Sequence, residues 1–488
     1  MNHPVINKRI RRVVALISVA LVSGAFVGHP QSVPLQSRID RIINEDGVQA
    51  AFWGIYVQDV ESGDVLYSHD GRKTFIPASN QKLFVSATAL DALGSTYRYR
   101  TALYFDGTVR DDVLEGDLIL RGSGDPTFGS VFAEGGDPLR LWARRLAEMG
   151  VSRIEGRIVG DDDVFDDEPY AEGWDIDYVT NQASRLLGVS TNGLAYNDNV
   201  VELRIRASAE GTPPDIETSP PGYLDVRNRM TTRGRQRGIA VSSSRVLGGE
   251  AISLEGSIPR SYAGTLVIPV TNPTALALQS FSHYLREYGI EVEANGIDID
   301  DITDYEYSRE SPVFVHISPP LIQILSIVNK ESNNFYAEQI FRTFSYGGSA
   351  RGGERRIKDL LRAAGAATEP ISIRDGSGLS RKNFVTPEST ANLLAYMHSH
   401  HERDAFFESL ARGGEQQSTL RHRLHNVPIF AKTGSLEFVR ALSGYARTST
   451  GKTIAFAIFA NNYTSPSYRI TQSIDRIAME LASADSGS

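Results

Sequence analysis

The sequence predicts an α+β protein, an antiparallel sheet with helices, split by a long β-rich insertion. Strand-like runs lie towards both ends of the chain, as a hairpin over 51–69 and as three alternating runs within 429–461. Between 97 and 304, short β-like runs are separated by Gly, Pro and Asp turns, and helical patterns return after Pro319-Pro320. We therefore expect one discontinuous domain, 31–96 with 305–488, and a β-rich inserted region, 97–304.

Composition limits the chemistry of the protein. The chain has 488 residues, 41% of them hydrophobic and 22% charged, which is typical of a globular protein of two or three domains. The net charge of -9 argues against nucleic acid as a partner. Because there is no cysteine, disulfides, thiolate metal sites and a cysteine nucleophile are excluded, so oxygen and nitrogen groups must carry any reaction.

Residues 1–28 are typical of a secretory signal peptide. Four basic residues, Lys8, Arg9, Arg11 and Arg12, precede an apolar run over 13–27. This run is shorter than the roughly 20 residues that a membrane-spanning helix needs. We expect a periplasmic protein; an uncleaved anchor, with loose membrane association, is the alternative.

Three short polar elements follow one another in a fixed order. Ser79-Asn80-Gln81-Lys82 opens a predicted helix that ends near Leu93. Ser332-Asn333-Asn334 falls on a turn between two predicted helices, and Lys432-Thr433-Gly434 falls on a predicted strand. A second Ser-x-x-Lys, Ser449–Lys452, lies in a predicted hairpin turn, where no helix fixes its geometry.

The first element has the residues of a nucleophile and its base. A serine hydroxyl is a weak nucleophile until a neighbour takes its proton, and residues three apart on a helix share a face, so Lys82 should lie beside Ser79. Lys82 can act as a base if burial and the charge of Lys432 lower its pKa. Only eight of the 50 basic residues are lysines, and two occupy these elements; unlike arginine, lysine can lose its proton.

The second element would complete proton transfer. The hydroxyl of Ser332 can relay a proton towards a leaving amine. The amide of Asn334 can orient both Lys82 and the substrate. Neither role is specific to these residue types alone, so the prediction depends on the order of all three elements.

The third element would hold the substrate. Lys432 and Thr433 offer a charge and a hydroxyl to a carboxylate. Gly434 would let substrate backbone lie close to the strand. The backbone N–H groups of Ser79 and Ser435 are candidates for binding the oxyanion.

The three elements resemble those of penicillin-binding proteins and class A β-lactamases. The long separation of Ser79 from Ser332, with the stretches 116–126 and 375–381, is similar to the class C low-molecular-mass penicillin-binding proteins, the D-Ala-D-Ala carboxypeptidase/endopeptidase family. This resemblance implies a serine β-lactamase/penicillin-binding transpeptidase-like domain. It also implies peptidoglycan peptides as substrates, β-lactam antibiotics as acylating inhibitors, and no cofactor.

The same resemblance implies a pocket for a diaminopimelate side chain. Trp174 and Asp177 match the family's Trp-x-x-Asp stretch, and Arg381 closes a matching segment. In such a pocket an acid would bind the amine and an arginine the carboxylate. The alternative is that Trp174 packs in the core of the insertion while Asp177 and Arg381 are surface charges.

Other functions remain open at this point. The nearest alternative is a β-lactamase or an esterase of the same fold. The rate of deacylation with penicillin would distinguish these proteins, because a β-lactamase deacylates fast and a penicillin-binding protein very slowly. A catalytically inactive binding protein of the cell envelope is disfavoured by the intact motif residues.

We expect no metal site. His398, His400 and His401 are interpreted as a helix end, since the His-Glu-x-x-His pattern is absent. The acidic residues Asp161-Asp162-Asp163, with the nearby Asp166 and Asp167, are interpreted as a solvated turn and not as a Ca²⁺ loop.

Overall fold

The computed structural model describes residues 33–130, 136–175, 190–234, 238–245, 249–293 and 296–484. The predicted signal peptide, residues 1–28, lies outside these ranges. Within them, no helix is both long and apolar enough to cross a membrane.

The elements are numbered in chain order. The helices are α1 Leu35–Ile43, α2 Gln81–Leu93, α3 Pro138–Glu148, α4 Pro273–Glu287, α5 Leu321–Ser326, α6 Asn334–Thr343, α7 Ala350–Ala363, α8 Pro387–Ser399, α9 Arg403–Ser409 and α10 Ser467–Ala482. The strands are β1 Phe52–Asp59, β2 Val65–His69, β3 Arg100–Arg110, β4 Val113–Arg121, β5 Arg153–Ile154, β6 Ile158–Asp161, β7 Val200–Arg206, β8 Asp215–Ser219, β9 Asp225–Arg233, β10 Ala240–Arg245, β11 Ala251–Pro259, β12 Ala263–Pro269, β13 Glu291–Val292, β14 Ile297–Asp298, β15 Phe314–Ile317, β16 Ala411–Arg412, β17 Ile429–Leu436, β18 Val439–Arg447 and β19 Thr453–Asn461.

The two ends of the chain build one antiparallel sheet, in the order β16-β17-β18-β19-β1-β2. The predicted hairpin and the three predicted C-terminal strands are all present. Helices α1 and α10 pack on one face of the sheet, and α2, α6, α7 and α8 contribute to the core on the other. Side chains alternate between the two faces of a strand. Because both faces of this sheet are covered, β19 is buried along nearly its whole length.

Helix α2 lies inside the domain. Its residues from Gln81 to Leu90 are all buried, which explains why its sequence is apolar on most sides. The helix ends at Gly94 with a φ of 80°, as the sequence predicts. Lys82, in the first turn, is therefore carried into the interior.

The β-rich region between the two halves has a core of its own, formed by apolar residues of β3–β12, α3 and α4. Its expected end at residue 304 is too early. Strand β15 pairs with β3, from Phe314 opposite Leu103 to Ile317 opposite Arg100. We therefore propose that the insertion extends to Ile317; the four-residue strand was missed because its partner is some 210 residues away in the chain.

Helix α6 contacts the insertion along one face. Tyr336, Gln339 and Arg342 are spaced three apart and so project on the same side. The Tyr336 hydroxyl lies 2.7 Å from Ser130 Oγ, and Gln339 Nε2 donates to the Asn192 carbonyl at 2.9 Å. Arg342 also donates to a carbonyl of the insertion, at 2.8 Å. The helix that begins at the second motif is thus held against the insertion.

Candidate active site

Ser79 lies on a tight turn that its neighbours fix. A 3₁₀ turn over Ala78–Asn80 leads into α2, and Ala78 has a φ of 47°, a conformation that costs an alanine energy. A Cβ at Gly378 would come within 1.9 Å of the Ala78 carbonyl, so only glycine fits behind the turn. Asn80 Nδ2 donates to the Lys432 carbonyl at 2.9 Å. Ser79 itself is half-buried and remains accessible.

The Lys82 ammonium lies at the centre of the site. Its Nζ donates to Ser79 Oγ at 3.0 Å, to Asn334 Oδ1 at 2.7 Å and to the Ser377 carbonyl at 2.5 Å. Three acceptors match the three protons of an ammonium group. The first and second motifs therefore meet at one nitrogen atom.

The pKa of Lys82 is lowered to about 7, and burial is the main cause. The carboxylates of Asp375 and Glu338 oppose the shift and keep the pKa from falling further. The prediction named Lys432 as a second cause; instead, it is the pKa of Lys432 that is lowered well below its ordinary value, by burial and by the charge of Lys82. Lys82 is thus divided between its charged and neutral forms near pH 7.

Lys432 joins the third motif to the second. Its fully buried Nζ donates to Ser332 Oγ at 2.9 Å and to the Thr433 carbonyl at 3.0 Å. Ser332 has a left-handed φ of 64° at the end of a π-helical turn over Ile327–Glu331. This turn aims the Ser332 hydroxyl at the lysine.

The strand that carries the third motif lies directly against the nucleophile turn. A Cβ at Gly434 would lie 2.7 Å from the Pro77 carbonyl and 3.1 Å from Asn80 Nδ2. The glycine thus permits close approach of protein backbone, whereas the sequence suggested an approach of substrate. On the same strand, Thr433 Oγ1 donates to Thr419 Oγ1 at 2.8 Å, and Ser435 is exposed.

Two buried acids near Lys82, Asp375 and Glu338, are not among the site residues that the sequence predicts. Glu338, on α6, accepts hydrogen bonds from the backbone N–H groups of Gly376 and Ser377. Its pKa is raised to about 7 by burial and by the nearby Asp375. In the sequence, the stretch 375–381 supports only the family resemblance. Its Asp-Gly-Ser-Gly pattern is typical of a tight turn and is the one sequence signal that points to Asp375.

The residues predicted for a side-chain pocket lie beside the nucleophile turn. Trp174 packs with Ala78 and Leu379 and not in the core of the insertion, so the alternative interpretation is wrong for this residue. Arg381 is partly exposed, and its Nη1 donates to the Glu437 carbonyl at 3.3 Å. Asp177 lies outside the described residues.

Three carboxylates converge within the insertion. Oxygens of Asp162, Asp298 and Asp300 lie within 4.8 Å of one another. Burial and mutual repulsion raise the pKa of Asp298 to about 7 and of Asp300 to about 6. Asp161 and Asp162 are buried, so their interpretation as part of a solvated turn is wrong. Asp162 accepts hydrogen bonds from Asn192 and Thr274, which is a structural use of the acid.

The histidines near the end of α8 have structural contacts. His398 lies against the rings of Phe407 and Tyr445, and burial lowers its pKa. His400 Nε2 lies 3.4 Å from an Asp91 carboxylate oxygen. Neither histidine belongs to a group of three possible metal ligands in the described part of the chain.

A serine hydroxyl hydrogen-bonded to a buried lysine, in an antiparallel sheet domain, is typical of acyl-transfer enzymes that use lysine where others use histidine. Comparison with known proteins agrees. The chain belongs to the D-Ala-D-Ala carboxypeptidase 3 (S13) family, whose family model matches residues 35–481. The predicted family is confirmed.

Two relatives and one solved structure support this assignment. The chain is 30% identical to the D-alanyl-D-alanine carboxypeptidase of Actinomadura sp. strain R39, over 97% of this chain and 90% of that protein. It is 25% identical to D-alanyl-D-alanine carboxypeptidase DacB of Haemophilus influenzae, over 84% and 85%. The crystal structure of penicillin binding protein 4 (dacB) from H. influenzae superposes with a TM-score of 0.75 at 22% identity, covering 91% of this chain and 99% of that one. The predicted fold class is confirmed.

Proposed function

We propose that this protein cleaves D-alanyl-D-alanine bonds of peptidoglycan peptides through an acyl-enzyme on Ser79, and that β-lactams acylate the same serine. The observation that carries the proposal is the 3.0 Å hydrogen bond between Lys82 Nζ and Ser79 Oγ, because the lysine at one end has a pKa of about 7. A β-lactam complex of the H. influenzae penicillin binding protein 4 supports the second part. With the signal-like residues 1–28, a peptidoglycan substrate implies a periplasmic location.

We propose the following reaction for these residues. Neutral Lys82 takes the proton of Ser79 as its oxygen attacks the carbonyl carbon, and the N–H groups of Ser79 and Ser435 bind the oxyanion. The proton then passes by way of Ser332 to the amine of the terminal D-alanine, which leaves as the C–N bond breaks. Water then attacks the ester carbonyl while Lys82 takes a proton from it, the bond between the acyl carbon and Ser79 Oγ breaks, the shortened peptide leaves as a carboxylic acid, and the Ser79 hydroxyl is restored.

Two buried lysines compete for charge in the free enzyme. The charge of Lys82 is one cause of the lowered pKa of Lys432, and by the same repulsion an ammonium group at 432 would disfavour one at 82. A substrate carboxylate beside Lys432 would stabilise its ammonium form. Lys82 would then be left neutral, so binding of the correct C-terminus would itself prepare the base.

Labelling with a fluorescent penicillin, followed by mapping of the adduct, tests this function. We expect one adduct, on Ser79, that is stable for hours, and release of D-alanine from a pentapeptide. Loss of the label within minutes would instead indicate a β-lactamase. A protein that takes no label and releases no D-alanine would be the inactive binding protein.

We also propose that Asp177 and Arg381 bind the charged end of a diaminopimelate side chain, with Trp174 alongside. Asp177→Ala and Arg381→Ala should each reduce turnover of diaminopimelate-bearing peptides by about 1.5–3 kcal/mol, the range for charged hydrogen bonds. Penicillin acylation should hardly change, because penicillin has no group at that position. Equal losses on peptide and penicillin would indicate general damage to the site, and no loss on either would remove both residues from the pocket.

A further inference from the structure

One segment of the insertion is fastened to the loop beneath the catalytic lysine. Trp174 Nε1 donates to Asp375 Oδ2 at 2.8 Å, and Ser380 Oγ donates to the Glu172 carbonyl at 2.6 Å. Lys382 Nζ lies 2.5 Å from the Glu172 carboxylate. The indole bond is the innermost of these three contacts, because Asp375 is fully buried while Glu172 is exposed.

Asp375 binds several other residues of this loop through its carboxylate. Its two carboxylate oxygens accept five hydrogen bonds, from Trp174 Nε1, Ser377 Oγ, Asn383 Nδ2 and the backbone N–H groups of Gly378 and Ser380. Five donors use both oxygens fully, because a carboxylate offers about four lone-pair sites. Four of the five donors come from the catalytic domain, and only Trp174 comes from the insertion.

The loop in turn holds the groups around Ser79. The Ser377 carbonyl accepts the Lys82 ammonium at 2.5 Å, and Gly378 lies against the nucleophile turn. Glu338 fixes the same loop from below through the N–H groups of Gly376 and Ser377. A shift of the loop would therefore move the acceptor of Lys82 directly.

We propose that Trp174 is a positioning residue for acylation. By donating to Asp375, Trp174 holds the Ser377 carbonyl in the position where this carbonyl binds the Lys82 amine, shields the amine from water and keeps it beside Ser79. This role rests on the proposed function. It makes the insertion part of the apparatus for every substrate, including one that never touches a side-chain pocket.

Two acids act on Lys82 in the described structure: Asp375 and Glu338 favour its ammonium form, whereas burial disfavours it. Lys432, on the facing strand, is a second buried amine, and its own pKa is lowered by burial and by the charge of Lys82. If the loop relaxes and water reaches Lys82, the desolvation that lowers its pKa is reduced, so the pKa rises. Acylation needs the neutral amine, so the acid limb of its pH profile should then move to higher pH.

The test is Trp174→Phe, which retains an aromatic ring against Ala78 and removes the N–H. With fluorescent penicillin, we expect the acid limb of the pH profile of the acylation rate to move about 0.5–1 pH unit higher. At a pH below the limb, this shift lowers the rate about three- to tenfold. The rate should approach that of wild type at alkaline pH. Ser380→Ala, which removes the Glu172 contact but retains the backbone donor to Asp375, should shift the limb in the same direction by less.

Trp53→Phe is the matched control. Trp53 is buried in the core that α1 and α10 form, and its Nε1 donates to the Val48 carbonyl at 3.0 Å, so this change removes one indole bond elsewhere. It should leave the acid limb in place. An unchanged profile in Trp174→Phe, or an equal loss at every pH, would overturn the positioning role. A wild-type protein that takes no label would instead overturn the proposed function itself.

Discussion

Replacing Ser79 by alanine should abolish labelling by fluorescent penicillin and release of D-alanine. The substitution removes the hydroxyl that lies 3.0 Å from Lys82 Nζ and that we propose as the nucleophile, and a methyl group leaves the surrounding turn intact. Labelling is measured on a denaturing gel after an hour, and thermal unfolding checks that the variant is folded.

Ser449→Ala is the control for this experiment. Ser449 begins the second Ser-x-x-Lys of the chain, but it lies in the turn between β18 and β19 and not on a helix. We expect full labelling. An adduct on any serine other than Ser79, or a labelled Ser79→Ala protein, would refute the assignment of the nucleophile.

Arginine at either motif lysine should reduce acylation by at least about a hundredfold, the usual scale for loss of a general base. At 82, arginine cannot give up its proton, and its planar fork does not match three acceptors that surround one nitrogen atom. At 432, the same fork must fit a fully buried position between the Ser332 hydroxyl and the Thr433 carbonyl. Stopped-flow or gel-based acylation rates give the ratio directly.

Lys452→Arg is the matched control, because Lys452 is half-exposed and pairs with Asp59 at 3.2 Å. Its acylation rate should equal that of wild type. Near-normal acylation in Lys82→Arg would mean that another group takes the serine proton.

The sequence allowed the main parts of the site to be predicted because their geometry is local. The spacing of Ser79 and Lys82 needs only a helix, and the pattern around it predicted that helix to its end at Gly94. The strand that carries Lys432 was equally clear from its alternation. The order of the three elements, and not any single spacing, predicts that they form one site.

The rest depends on contacts that no spacing encodes. The most buried acceptor of Lys82 is a backbone carbonyl, at Ser377, and a carbonyl has no signature in the sequence. Asp375 and Glu338 act through backbone N–H groups and lie on separate elements. Asp161 was mistaken for a solvated acid because its partners, among them Arg121, become neighbours only in the folded protein.

The two crossings between the domains lie side by side, and this has a consequence for how such a gene arose. The backbone N–H of Ser318 donates to the Tyr99 carbonyl at 3.2 Å, and the Tyr99 N–H donates to Ser318 Oγ at 2.9 Å. An ancestor without the insertion could have joined these two residues directly, with no other part of the chain rerouted. A single in-frame event at one codon is then enough to add the whole β-rich unit.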